Sequence, residues 1–169
     1  MPAITNATLR PWLEASPFQG YAYAYPHKTA YRPLQPAMPF SEVWAQEDRR
    51  QLFLYLHVPF CEMRCGFCNL FTTANPEAGL VVRWLDAMLA EARTMRDVLG
   101  DGSQFARGAI GGGTPTFLSE HELTRLLGGV RELFGDGLRA TPFSVEMSPA
   151  TVSAEKLALL REFGMQRAS

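Results

Sequence analysis

The stretch Leu52-Phe53-Leu54-Tyr55-Leu56-His57-Val58-Pro59-Phe60-Cys61 decides how the rest of the chain is read. An almost unbroken apolar and aromatic run, stopped by a proline that cannot continue a hydrogen-bonded ladder, predicts a strand buried on both faces, as in parallel sheets. The strand runs straight into the chain's three cysteines, spaced Cys61-x-x-x-Cys65-x-x-Cys68. An odd number of cysteines packed into one short segment argues against a disulfide framework and for metal or redox chemistry.

Toward the C-terminus the pattern alternates between helix and strand. Val81, Leu85, Met88, Ala92, Met95 and Leu99 form a stripe of helical period that stops before Gly100 and Gly102. Phe105 to Ile110 reads as a weaker strand running into Gly111-Gly112-Gly113-Thr114-Pro115-Thr116. Ser119-x-x-Glu122 is a capping box, and Leu123, Leu126, Leu127, Val130, Leu133 and Phe134 follow on one helical face, ending near Gly135 and Gly137. Residues 142–147 predict a third strand. Ser153 caps a helix with Leu157, Leu160 and Phe163, Gly164 stops it, and 165–169 open a fourth strand. Such alternation predicts an α/β fold with a parallel sheet, whose chemistry gathers at the carboxyl ends of the strands. The cysteines, the glycine run and Glu146 each follow a strand, which points to one shared site.

Toward the N-terminus the character changes. Seven of the twelve prolines and four of the five tyrosines lie within residues 1–50. The prolines forbid a long helix, and the aromatic density is wrong for a solvated linker. We therefore expect an extended Pro/Tyr-rich arm over 1–50 lying on a domain that spans 51–169.

With 169 residues, 47% apolar, 20% charged and a net charge of -1, the chain has the composition of a globular domain able to fold without disulfides or structural metal. The near-neutral balance offers no positive field to a phosphate backbone, so nonspecific nucleic-acid binding is not expected. Neither a secretion signal nor an apolar run of about 18 residues is present, which excludes the expectation of a membrane span and suggests a cytoplasmic protein.

Three thiolates on a short loop can enclose an iron-sulfur cluster of four irons and leave one iron open to a substrate or cofactor. Zinc would need a fourth ligand, for which His57 is the nearest candidate. Structurally idle thiols are the third reading. The glycine run could bring backbone close to a ligand and offer exposed amides, or be a plain tight turn. Glu146 ends an apolar strand, where a carboxylate is costly to bury unpaired, or it is a solvated loop acid. His57 is equally well read as a core histidine, and His27 and His121 as surface residues. The charged helix positions read as solvated faces.

At these residues the sequence resembles the radical S-adenosylmethionine (SAM) superfamily, in the branch of oxygen-independent coproporphyrinogen III oxidase and its relatives. The resemblance rests on Tyr55-x-His57-Val58-Pro59-Phe60-Cys61-x-x-x-Cys65-x-Phe67-Cys68, Gly111-Gly112-Gly113-Thr114-Pro115-Thr116, Glu146-x-x-Pro149 and Gly164-x-x-Arg167-x-Ser169. It covers 52–169. It implies that Cys61, Cys65 and Cys68 hold a [4Fe-4S] cluster whose open iron binds SAM. Gly112, Gly113 and Thr114 then receive the methionine end, Phe67 flanks the adenine, and Tyr55 and Glu146 lie at the cofactor. The implied activity is reduction of SAM to a 5′-deoxyadenosyl radical that abstracts hydrogen from a small-molecule substrate, a tetrapyrrole among the candidates, with reduced flavodoxin or ferredoxin as electron donor. No residue is assigned to catalysis itself. A haem or porphyrin carrier of the same branch is the alternative.

Two departures qualify the resemblance. The oxidase has a fourth cysteine two residues after the third, where this chain has Leu70, so porphyrinogen decarboxylation is not expected. The family fold is a (β/α)6 barrel, of which three units and part of a fourth strand are visible. A partial barrel behind an N-terminal extended arm, from a truncated product or fragment, is the resulting expectation.

Overall fold

A computed structural model of the chain describes residues 31–33, 35–66, 68, 70–138 and 140–169. The expected arm therefore falls largely outside the described residues. Two compact units are distinguished, Met1–Met38 and Pro39–Ser169. In the first, residues 31–33 and 35–38 form neither helix nor strand and are exposed.

The second unit begins with a short helix, α1 (Phe40–Val43), that the proline-rich composition did not announce. The main sheet follows: β1 (Leu52–Val58), β4 (Phe105–Gly112), β5 (Phe143–Val145) and β6 (Met165–Ala168), in the order β1-β4-β5-β6 and parallel throughout. The connecting helices are α2 (Leu80–Leu99), α3 (Glu120–Phe134) and α4 (Ala154–Phe163). A small parallel ladder pairs β2 (Phe60–Cys61) with β3 (Thr73–Ala74). This ladder has no sequence signature, because two-residue strands have no periodicity to detect.

Local chemistry explains the boundaries. The Ser119 hydroxyl accepts from the Glu122 amide while the Glu122 carboxylate accepts from the Ser119 amide, which completes the capping box of α3. The Ser153 hydroxyl accepts from the Lys156 amide, and Gly164, at φ 124°, ends α4. The last carbonyls of α2 are met by Arg49, whose guanidinium donates to Leu99 at 2.9 Å and Val98 at 3.2 Å and also to Trp44 at 2.7 Å. This is the favourable position for a cation at a helix C-terminus.

The core lies on one face of the sheet. Leu52, Leu56 and Val58 of β1 pack with Ile110, Phe143 and Val145 against Leu85 of α2, Leu123, Leu126, Leu127 and Val130 of α3, and Leu160 and Phe163 of α4. Phe143 meets Phe163 with ring centroids 4.8 Å apart, and Phe60 meets Trp84 edge-on at 5.4 Å.

The expectation that β1 is buried on both faces is corrected here. Phe53 is 62% and Tyr55 50% exposed, because the helices cover only the face carrying Leu52, Leu56 and Val58. Alternation along the strand sends the odd-numbered residues to the opposite, open face. The expected strand ends shift as well. β4 continues through Gly111 and Gly112, and β5 stops at Val145, so Glu146 stands just beyond its strand.

Candidate functional site

The parallel register places Tyr55 beside Ala109, His57 beside Gly111, and Ser144 beside both Ala109 and Arg167, all on the open face of the sheet. The Tyr55 hydroxyl and His57 Nδ1 are 3.3 Å apart, and His57 Nε2 is 3.0 Å from the Phe71 carbonyl. A carbonyl only accepts, so Nε2 carries the proton and donates to Phe71, and Nδ1 accepts from Tyr55. Both ring nitrogens are therefore committed, and His57 as a fourth zinc ligand finds no support in this arrangement. The ring ties the open sheet face to the loop that carries the cysteines. Partial burial, followed by the charge of Glu146, raises the Tyr55 phenol above its ordinary value, so Tyr55 is the protonated donor near neutrality.

Glu146 is exposed, yet its carboxylate accepts from the Gly112 amide at 3.0 Å. Gly112 has φ 109°, and a Cβ there would stand 2.5 Å from His57 Cε1. Both conditions demand glycine. The next two amides are used internally: Gly113 donates to the Val58 carbonyl and Thr114 to the Phe60 carbonyl, each at 2.7 Å. The expectation of exposed amides in this run is thereby corrected. The run is stitched to the 58–61 segment because β4 lies beside β1 and its continuation follows the neighbouring strand's exit. A Cβ on Gly113 would meet the Phe60 carbonyl oxygen at 2.5 Å and Cys61 Sγ at 2.9 Å, so the absence of a side chain there is what lets the first cysteine lie over the glycine run.

Cys61 is in β2, and Asn75 N–H donates to its carbonyl at 3.2 Å, closing the loop that carries Cys65 and Cys68. Cys68 N–H donates to the Cys65 carbonyl at 3.0 Å, and Cys68 Sγ lies 3.8 Å from Thr72 Oγ1. All three thiols are free, Cys65 exposed and the other two half-buried. Among the described residues, no three His, Cys, Asp or Glu side chains converge on one point suited to a metal ion. The donor set nevertheless fits a cluster that takes three protein thiolates. None of the thiols is in a disulfide, all three lie in one segment closed at its base by β2 and β3, and the first of them lies against Gly113. Phe67 lies outside the described residues.

The structure thus brings Tyr55, Cys61, Gly112, Gly113 and Glu146 to the carboxyl rim of β1, β4 and β5, with Thr114 leading away from it. Sequence reading missed the Tyr55–His57–Phe71 connection, although the two-residue spacing of Tyr55 and His57 on a strand places both rings on one face. It also missed Arg107, which projects from β4 beside Phe53 on the open face and is exposed.

No family model matches the chain. The chain is 31% identical over 160 residues to the oxygen-independent coproporphyrinogen III oxidase of Salmonella typhimurium, an alignment covering 89% of this chain and 34% of that protein. It is 34% identical over 119 residues to the heme chaperone HemW of Bacillus subtilis, covering 68% of this chain and 30% of HemW. Among solved structures, coproporphyrinogen III oxidase (HemN) from Escherichia coli, described as a radical SAM enzyme, superposes with a TM-score of 0.66 at 27% identity, over 76% of this chain and 29% of that one. The chain spans about a third of the length of these relatives. No helix among the described residues is long and apolar enough to cross a membrane. By sequence and by fold, the chain resembles the oxygen-independent coproporphyrinogen III oxidase-like branch of the radical SAM superfamily over about a third of those proteins' length.

Proposed function

We infer that the carboxyl rim of the sheet is a SAM site beside an iron-sulfur centre. The observation that carries this reading is the close approach of Cys61 Sγ to the side-chain-free surface of Gly113, which joins a three-thiol loop to a glycine-lined strand end. Cys61, Cys65 and Cys68 would hold a [4Fe-4S] cluster, with Tyr55, Phe67, Gly112, Gly113, Thr114 and Glu146 on the SAM side. Such a cluster supplies, when bound with SAM, the electron that releases a 5′-deoxyadenosyl radical able to take a hydrogen atom.

This chain's own residues do the positioning. Gly112 and Gly113 leave room for the His57 ring and Cys61 Sγ to lie against the strand end, which brings the first thiol up to the rim. Because the Gly113 and Thr114 amides are already bonded to Val58 and Phe60, the run can offer an incoming ammonium group its carbonyls rather than its amides. Glu146 adds a negative charge of the right sign for the same ammonium, and the Gly112 amide holds that carboxylate in place. Tyr55 and His57 fix the end of β1 to the cysteine loop through the Phe71 carbonyl.

A tetrapyrrole is the substrate class that the oxidase relatives' names support, and a flavodoxin- or ferredoxin-type donor is the proposed electron source. The likeness to a heme chaperone favours a second reading, a haem or porphyrin carrier of the same branch. Anaerobic reconstitution with iron and sulfide tests the centre: we expect about four irons and four sulfides per chain, lost on Cys65→Ala. Stoichiometric zinc without iron uptake would overturn the cluster. A loaded protein that binds haem stoichiometrically and yields no 5′-deoxyadenosine under reducing conditions would select the carrier.

A further inference from the structure

A cation in the first turn of a helix faces the positive end of the helix dipole and is normally disfavoured there. Lys156 occupies that turn of α4, three residues after the Ser153 cap. Its ammonium is instead taken up by two carbonyls, Thr116 at 2.7 Å and Thr151 at 2.9 Å. Thr116 is fully buried. Its hydroxyl accepts from the Ser148 amide at 3.2 Å and lies 2.7 Å from the Thr151 hydroxyl. This network joins the turn after β4 (Pro115–Phe117) to the loop between β5 and α4. Thr116 lies four residues beyond Gly112, and Ser148 two beyond Glu146. The two segments that carry the Gly112 amide and the Glu146 carboxylate are therefore bolted together a few residues beyond that contact.

We propose that Lys156, Thr116 and Thr151 are positioning residues that hold the Gly112 amide against the Glu146 carboxylate and so set the SAM-facing shape of the rim. The last clause rests on the SAM reading given above; the positioning itself does not. The network is half-buried around the fully buried Thr116, and a member left unsatisfied there costs more than the bond is worth. Lys156 is the member most exposed to substitution without loss of core volume, since its apolar stem can be kept while its donors are removed.

The test measures amide hydrogen exchange at Gly112, with Val130 in the core of α3 as the reporter of global opening, in the wild-type chain and in Lys156→Met, Thr116→Val and Thr116→Ser. We expect Lys156→Met and Thr116→Val to speed exchange at Gly112 by about tenfold with Val130 unchanged, and Thr116→Ser, which keeps the hydroxyl, to restore protection. In the iron-loaded protein, half-saturating SAM should rise by about tenfold in Lys156→Met at unchanged iron content. Unchanged Gly112 exchange in both Lys156→Met and Thr116→Val would overturn the proposal, as would equal loss of protection at Gly112 and Val130, which would mark a general folding role. Selective deprotection of Gly112 in a protein whose loaded wild type ignores SAM would uphold the positioning role and sink the SAM reading instead.

Discussion

Tyr55 on β1 and Glu146 just beyond β5 stand on either side of β4, and the charge of Glu146 is felt by the Tyr55 phenol. Burial is the larger cause of the raised Tyr55 phenol and the Glu146 carboxylate the second. A raised folded-state value means that the fold favours protonated Tyr55. The associated stability is complete below the ordinary tyrosine value of about 10 and is lost as pH rises through the folded one. Glu146→Gln should therefore lower the Tyr55 ionisation midpoint without returning it to the ordinary value, as read from the carbon-13 shift of labelled tyrosine. A midpoint unmoved by the substitution would mean that the two groups do not interact. Neither partner announces the other in the sequence, because the contact depends on the register of β1, β4 and β5 and not on spacing along the chain.

At the level of elements, α3 and α4 are held by side-chain caps, and α2, α3 and α4 each bury residues against the sheet. Ser119→Ala removes half of the α3 capping box and should cost about 1 kcal/mol. Leu126→Ala, at a fully buried position on the same helix, should cost about 2–5 kcal/mol. Chemical denaturation of the two variants checks the order, and a capping loss equal to the core loss would contradict the packing described. These same features made the elements legible. The capping box, the Ser153 cap, Gly164 and the helical stripes marked α2, α3 and α4, and the apolar run marked β1. The β2–β3 ladder and α1 were illegible because two to four residues are too few to show a period. The open face of β1 was misread because Phe53, Tyr55 and His57 are large and largely apolar. Residue type cannot tell a core position from an aromatic one lining a site.

Among the described residues of the Pro39–Ser169 unit, helices occupy one side of a parallel sheet, and the other side carries Tyr55, His57, Ser144 and Arg167, with Glu146 at its rim. The three motifs that share this rim were recognisable in the sequence because each follows a strand. Their mutual contacts, Cys61 over Gly113 and Gly112 on Glu146, emerge only from the strand pairing. A rim that receives SAM next to the three thiols would let the cofactor perturb the cluster they hold. The most direct measurement is the electron paramagnetic resonance spectrum of the iron-loaded, reduced chain with and without SAM, beside Gly112→Val. A valine at φ 109° would be strained and would strike the His57 ring. SAM should change the wild-type spectrum, and the change should be weakened in Gly112→Val at equal iron content. A fully loaded wild-type chain whose spectrum is identical with and without saturating SAM would contradict a SAM site on this rim.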